Sequence, residues 1–290
     1  MRTETDFSGL WIPLVTPFRH GQPDHAAMRA MVRRMAGSGV SGLVVCGSTG
    51  EAAALDEQEQ LALLDTTLEA AGTLPVVMGI SGYHLAQTRD WIETVSRRPI
   101  VGVLLPAPHY IRPSQAGVVQ WFTTLADAAK VPVVIYDVPY RTGASIERQT
   151  LLELALHPNI QALKDCGGDT AKTLAVIAQG RLQVLAGDDL QMFASVAQGG
   201  VGAIAASAHV AMAQFVQMLS LLRAGELARA QALWGRLVPW VELAFSEPNP
   251  AIIKAALALD GALDDELRPP MQRASTGVRA RIGELCRSLG

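Results

Sequence analysis

Eight short apolar runs punctuate the chain up to residue 208, and each is followed by a stretch with helical character. The runs are continuously apolar and rich in Val, Ile and Leu, as strands buried on both faces of a parallel sheet are. Eight strand-then-helix units favour a (β/α)8 TIM barrel over an open doubly wound sheet, and no GxGxxG motif follows any run. The runs cover residues 10–18, 42–50, 75–82, 102–108, 132–139, 160–166, 182–189 and 201–208.

Three of the intervening stretches carry clear helix starts. Asp24, Asp56 and Ser114 each precede an amphipathic segment and offer a side-chain oxygen to the free N–H groups of a first helical turn. Glu59 stands three residues after Asp56, a spacing that predicts a capping box.

The remainder of the chain, residues 210–290, has no strand pattern. Its amphipathic segments predict helices broken near Pro239 and Pro248. We therefore predict a barrel core over residues 1–209 and C-terminal helices over 210–290, namely the last barrel helix and a helical extension, within one structural unit. A length of 290 residues suits a single α/β barrel of this kind.

Composition excludes several classes of protein. With 49% hydrophobic and 18% charged residues the chain is too apolar to be disordered, and its net charge of −3 argues against a nucleic-acid or membrane partner. Cys46, Cys166 and Cys286 show no metal-ligand spacing and predict reduced thiols. Since no signal peptide or membrane-spanning run is present, the sequence predicts a soluble, cytoplasmic protein.

Polar residues concentrate where the predicted strands end. Active-site groups of this barrel project from the C-terminal ends of its strands, so these residues are the candidates for chemistry. The strand ends supply Thr16, Ser48, Thr49, Tyr136 and Lys164, and the following loops add His109, Tyr110 and Arg141.

Lys164 is one of only four lysines and ends an apolar run. An amine among apolar neighbours has a lowered pKa, which frees its lone pair to form a Schiff base with a ketone or aldehyde. The alternative is a lysine that extends to the surface or pairs with Asp165. The residues around Lys164 must decide between these two interpretations.

The other candidates each have two interpretations. Tyr136, on the neighbouring strand, can pass protons beside Lys164, or it is a core tyrosine bonded to backbone. The turn over residues 47–51, "GSTGE", offers hydroxyls and N–H groups to a carboxylate, but such turns are common. Arg141 presents a planar fork that fits a carboxylate, or it is a surface arginine. The histidines lack metal-ligand spacing, so no metal is expected.

In their order and spacing, seven stretches resemble the dihydrodipicolinate synthase/N-acetylneuraminate lyase family of class I lyases on a (β/α)8 barrel. The resemblance implies that Lys164 forms an imine with pyruvate, that Tyr136 and the Ser48 hydroxyl relay protons, and that the Gly47–Thr49 turn holds the pyruvate carboxylate, without a cofactor. The stretches are "PLVTPF" (13–18), "GSTGE" (47–51), "YIRPSQ" (110–115), "YDVPYRTG" (136–143), "LKDCGGD" (163–169), "AGDD" (186–189) and "EPNP" (247–250).

The synthase branch of this family fits best. It implies that Arg141 binds the carboxylate of L-aspartate-4-semialdehyde and that Ile204 contacts substrate. It also implies that Tyr110 relays protons across a tight dimer interface, in a dimer of tight dimers. The implied reaction joins pyruvate to the semialdehyde and gives 4-hydroxy-tetrahydrodipicolinate.

Three departures from the usual pattern bear on this branch. First, Ser48 stands where the synthases usually have Thr. Second, Asp137 stands where Asn is usual, and Tyr140 stands where a small residue is usual. Tyr140 is expected to narrow the entrance for the second substrate. Third, the positions that bind lysine in inhibited synthases are occupied in this chain by Glu57, Gln60 and His109. Weak or absent inhibition by lysine is therefore expected.

Two other functions stay open at this point. One is a lyase or aldolase for another 2-oxo acid, of the N-acetylneuraminate or hydroxy-oxoglutarate type; Arg141 argues against it, because a sugar acid needs polyol-binding groups. The other is a ligand-binding paralogue without catalysis, which the presence of Lys164, Tyr136 and Tyr110 disfavours.

Overall fold

The computed structural model describes residues 5–289, and its main feature is a closed barrel of eight parallel strands. The strands are β1 (Gly9–Pro13), β2 (Gly42–Val45), β3 (Val76–Gly79), β4 (Gly102–Pro106), β5 (Val133–Asp137), β6 (Ile160–Asp165), β7 (Gln183–Ala186) and β8 (Gly202–Ile204). Their order around the barrel is β1-β8-β7-β6-β5-β4-β3-β2. Each strand overlaps one predicted apolar run, so the predicted barrel is confirmed.

Twelve helices longer than a 3-10 turn lie within the described residues. Asp24, Asp56 and Ser114 cap three of them as predicted, and Asp56 forms the full capping box with Glu59. The helices are α1 (His25–Met35), α2 (Glu57–Ala71), α3 (Leu85–Val95), α4 (Gln115–Ala128), α5 (Pro139–Thr142), α6 (Arg148–Leu154), α7 (Thr170–Gln179), α8 (Met192–Ala197), α9 (Met212–Arg223), α10 (Leu227–Ala244), α11 (Ala251–Leu259) and α12 (Thr276–Leu289).

One predicted helix break is wrong. Helix α10 continues through Pro239 without interruption. Burial of Leu237, Trp240 and Val241 on one face holds the helix together although proline removes one backbone hydrogen bond, and the Trp240 indole also donates to the Ser207 carbonyl at 2.9 Å. The break near Pro248 is confirmed, since α10 ends at Ala244 and α11 begins at Ala251.

A short antiparallel hairpin, absent from the predictions, follows β1. Phe18–Arg19 pairs with Gln22–Pro23. The apolar run over 10–18 is longer than β1, which ends at Pro13, and the last residue of the run, Phe18, begins this hairpin.

The chain divides into two compact units. One comprises residues 5–8 and Val76–Ile204 and carries β3–β8; the other comprises Gly9–Pro75 and residues 205–289 and carries β1 and β2 with the C-terminal helices. The predicted boundary after residue 209 stays a prediction. Among residues 5–289, no helix has the length and hydropathy that crossing a bilayer requires.

Candidate active site

Lys164 lies near the C-terminal end of β6 and only 4% of it is exposed. Strand β6 pairs in parallel with β5, and Tyr136 is the residue directly opposite Lys164. The Lys164 Nζ is 4.4 Å from the centroid of the Tyr136 ring. Two of the predicted site residues are therefore in contact, because they occupy matching positions on neighbouring strands.

The surroundings of Lys164 disfavour its charged form. Burial lowers the pKa of Lys164, and the Asp189 carboxylate opposes that shift only in part. Among residues 5–289, Lys164 forms no ion pair. The predicted alternatives therefore fail: the side chain does not reach the surface, and Asp165 instead accepts bonds from the Gly167 N–H and the Thr173 hydroxyl.

A glycine in the next strand's loop makes room for this lysine. A Cβ at Gly187 would lie 2.7 Å from Cγ and 2.9 Å from Cε of Lys164, and 2.6 Å from Sγ of Cys166. Any side chain at position 187 would therefore force Lys164 or Cys166 to move. Burial raises the pKa of Cys166 to about 12, so its thiol stays protonated beside Lys164 at neutral pH.

The two adjacent acids after β7 have different environments. Asp188 accepts a hydrogen bond from the Leu190 N–H at 3.0 Å and so caps the start of a short 3-10 turn. Asp189 is 3% exposed, and its charge is one of those that raise the pKa of Lys164.

Tyr110 and Arg141 share a surface region of the same unit. Helix α5 carries Arg141, whose guanidinium carbon lies 5.5 Å from the centroid of the Tyr140 ring. The Tyr110 N–H donates to the Thr142 carbonyl at 3.1 Å, which ties the Tyr110 loop to α5. The Tyr110 side chain is 87% exposed, whereas Ile204, at the end of β8, is buried.

The turn predicted to hold a carboxylate lies in the other unit, directly after β2. Gly47 and Thr49 are buried and Ser48 is half-buried. The Gly50 N–H donates to the Gly47 carbonyl at 3.0 Å, and the Thr16 hydroxyl donates to the Gly50 carbonyl at 2.7 Å. The predicted strand-end residue Thr16 thus stabilises the turn from within its own unit.

Asn249 contacts this turn and was not predicted to have a role. Its side-chain Nδ2 donates to the Thr49 hydroxyl oxygen at 2.9 Å. Because Thr49 accepts this bond, its own proton is available to a carboxylate. The only sequence signal was the position of Asn249 in the "EPNP" stretch, 200 residues from Thr49.

Glu51 anchors the end of the same turn. It is 6% exposed and accepts from the Lys254 ammonium at 2.7 Å and from the Arg268 backbone N–H at 3.1 Å. Lys254 also donates to the Glu266 carbonyl and lies 4.5 Å from the Phe18 ring centroid. The Lys254 ammonium thus has a carboxylate and a carbonyl as acceptors, whereas Lys164 forms no ion pair within residues 5–289.

His209 has a structural role. It is buried, its Nε2 accepts from the Val15 N–H at 3.3 Å, and its Nδ1 donates to the Ala206 carbonyl at 2.8 Å. Burial lowers the pKa of His209 to about 4, so the ring is neutral. Between residues 5 and 289, the structure contains no group of three or more His, Cys, Asp or Glu arranged to hold a metal ion.

Residues 6–288 match the model of the Dihydrodipicolinate synthetase family. The chain belongs to this family. Its resemblance to the family, predicted from seven short stretches, is confirmed over nearly the whole length, and with it the assignment to the family's lyase and synthase enzymes.

Relatives of the chain agree with this assignment. A 4-hydroxy-tetrahydrodipicolinate synthase from Haloarcula marismortui is 36% identical over 280 residues, covering 94% of this chain and 90% of the relative. The structure of dihydrodipicolinate synthase from Thermotoga maritima superposes with a TM-score of 0.95 at 28% identity, over 98% of this chain and 99% of that one. The Acinetobacter baumannii enzyme, solved with pyruvate, gives 0.95 at 26% identity, over 98% and 99%.

Proposed function

We propose that the protein condenses pyruvate with L-aspartate-4-semialdehyde to give 4-hydroxy-tetrahydrodipicolinate through an imine on Lys164. The product is the compound for which the Haloarcula relative is named. The observation that supports the proposal most is the buried, ion-pair-free amine of Lys164 in contact with Tyr136. A neutral amine is the form that attacks a ketone.

The proposed reaction proceeds through an imine and an enamine on Lys164. The Lys164 amine adds to the pyruvate ketone, and loss of water gives the imine, with Tyr136 passing the protons. Loss of a proton from the methyl carbon gives an enamine, which attacks the aldehyde carbon of the second substrate. The amino group of that substrate then attacks the imine carbon, closes the ring and releases Lys164. One water is lost overall.

The roles of the turn after β2 follow from its donors. We assign the pyruvate carboxylate to the Gly47–Thr49 turn, whose Thr49 hydroxyl keeps its proton for the carboxylate because it accepts from Asn249. The Ser48 hydroxyl, which is half-buried, is assigned a role in relaying protons.

Arg141 is proposed to select the second substrate. Its planar guanidinium matches a carboxylate, and its exposure on α5 leaves it accessible to an incoming aldehyde. Tyr140 beside it would narrow the entrance, and Ile204 would supply an apolar contact to the substrate. A 2-oxo acid aldolase for sugar acids would gain nothing from this cation.

A homo-oligomer, a dimer of tight dimers, is part of the proposal. The 87% exposure of Tyr110 leaves its phenol available to a second copy of the chain, and Ile111 beside it is 52% exposed. An active protein that is strictly monomeric would contradict the role of Tyr110. The cytoplasmic location and the weak inhibition by lysine stay predictions.

Pyruvate consumption measured across a set of aldehydes tests the choice of acceptor. We expect L-aspartate-4-semialdehyde to be preferred, and Arg141→Ala to lower kcat/KM for it by about 100-fold while pyruvate still forms its imine. Arg148→Ala, at the exposed start of α6, is the matched control and should retain normal turnover. If Arg141→Ala condensed the semialdehyde normally, the assignment of the second substrate would be wrong.

A further inference from the structure

A second buried lysine lies close to the candidate site. Lys172, in the first turn of α7, is 6% exposed, and its Nζ donates to Asp137 Oδ2 at 2.5 Å and to the Ile146 carbonyl at 3.1 Å. Asp137 is 0% exposed. This is a buried ion pair whose ammonium contacts two further segments of the chain besides its own helix.

Each of the three segments carries or follows a residue of the proposed site. Asp137 directly follows Tyr136 on β5, and Ile146 lies in the loop that follows Arg141. Lys172 itself belongs to the helix that follows the strand of Lys164. The Lys172 ammonium therefore connects the strand that carries Tyr136, the loop that follows Arg141 and the helix that follows the strand of Lys164.

The backbone beyond β6 packs directly on this pair. The Asp137 carbonyl accepts from the Cys166 N–H at 2.8 Å. A Cβ at Gly167 would lie 2.6 Å from Asp137 Oδ2 and 2.7 Å from Lys172 Nζ. The pair therefore defines where the loop after Lys164 can lie.

A second carboxylate fixes the other side of the loop. Asp165 is the residue opposite Asp137 in the strand register, and it accepts from the Gly167 N–H at 2.8 Å and from the Thr173 hydroxyl. Burial raises the pKa of Asp137, and the Lys172 ammonium opposes this shift. The Asp137 side chain, buried and held by Lys172, therefore has few alternative positions.

We propose that the Asp137–Lys172 pair is a positioning element that aligns Tyr136 with Lys164 and places the segment of Arg141. The proposal rests on the function proposed above, because alignment matters only if these residues react. Both members of the pair are positioning residues and touch no substrate. Misplacement of reacting groups by about 1 Å can lower a rate by about 100-fold, which sets the expected size of the effect.

The decisive variant is the double substitution Asp137→Asn with Lys172→Met. Removing one member of a buried pair leaves a buried charge without its partner, whereas removing both leaves a neutral pair of similar size. We expect Lys172→Met alone to lower Tm, and the double variant to recover most of that loss. The double variant should still show kcat/KM for the semialdehyde reduced by about 30- to 100-fold and slower imine formation with pyruvate.

Asn159→Ala is the matched control. Asn159 is buried just before the other end of β6, and its side-chain nitrogen donates to the Ala126 carbonyl at 2.8 Å and the Ala129 carbonyl at 3.1 Å. We expect this variant to lower Tm and to leave kcat unchanged well below its unfolding temperature.

The outcomes separate positioning from simple stability. If kcat and imine formation recover together with Tm in the double variant, the pair is only structural and the proposal is overturned. If the double variant does not fold, Asp137→Asn alone is measured: a reduction of kcat/KM by about 10-fold supports the proposal, and unchanged kinetics overturn it. If pyruvate and borohydride fail to label Lys164 in the unmodified protein, the proposed function itself is wrong.

Discussion

Two lysines of this protein are buried to a similar degree and yet have opposite environments. Lys254 is 0% exposed and donates to the Glu51 carboxylate at 2.7 Å. Lys164 is 4% exposed and forms no ion pair within residues 5–289. Burial lowers the pKa of both amines, but only Lys254 has a carboxylate in contact that opposes the shift.

The difference is the one expected between the proposed Schiff-base lysine and a structural lysine. A charged amine held by a carboxylate has no lone pair to offer, whereas an amine buried without an anion favours its neutral, nucleophilic form. Burial alone therefore does not indicate a Schiff-base lysine. Burial without an anion in contact with the amine does.

The largest expected effect is on activity. Lys164→Met should lower kcat by at least about 10³-fold, because the variant lacks the nucleophile. Pyruvate consumption in the presence of L-aspartate-4-semialdehyde is the measurement. Residual turnover within tenfold of the unmodified protein would contradict the comparison of the two lysines.

The second effect is on stability and concerns the other lysine. Lys254→Met should destabilise the protein by about 3–5 kcal/mol, because it leaves the buried Glu51 carboxylate without its partner. Urea unfolding gives the free energy directly, and the double variant Glu51→Gln/Lys254→Met should recover much of the loss. A small effect of the single substitution would show that the ion pair is not what holds Lys254.

A smaller effect is expected at Asn249. Asn249→Ala removes the donor to Thr49, so the Thr49 hydroxyl loses the bond that leaves its proton available to the proposed pyruvate carboxylate. We expect the KM for pyruvate to rise by about tenfold with less change in kcat. Steady-state kinetics with varied pyruvate measure both values, and an unchanged KM would remove Asn249 from the site.

The smallest effect is on the stability of Lys164→Met. Since the folded-state pKa of Lys164 lies below its ordinary value of 10.5, the unfolded chain binds more protons between these two values, and the stability of the unmodified protein rises with pH there. Lys164→Met should therefore be more stable at pH 7 by about 1 kcal/mol, with a gap that narrows as pH rises toward 10.5. A gap that widens with pH would contradict the depressed pKa.

The sequence revealed the barrel more completely than the site. Eight apolar runs specify eight buried strands because each strand's pattern is local, and positions at strand ends brought Lys164 and Tyr136 together through the register of two adjacent strands. The course of α10 through Pro239 was missed, because burial of one helix face overrides a local preference.

The contacts that orient the site residues depend on distant segments. Asn249 reaches Thr49 across 200 residues, and Lys172 reaches Asp137 across 35. No periodicity or spacing links such residues before the chain folds. Asp137 departs from the Asn usual at its position, and only the folded position of Lys172 shows its ion-pair partner.

The role of Lys164 as the nucleophile is decided by borohydride reduction in the presence of pyruvate. We expect one stable adduct per chain at Lys164, identified by peptide mass, with no adduct at Lys130, Lys172 or Lys254. The Lys164→Met variant should give none. An adduct at any other lysine, or no adduct in the unmodified protein, would show that Lys164 does not form the imine.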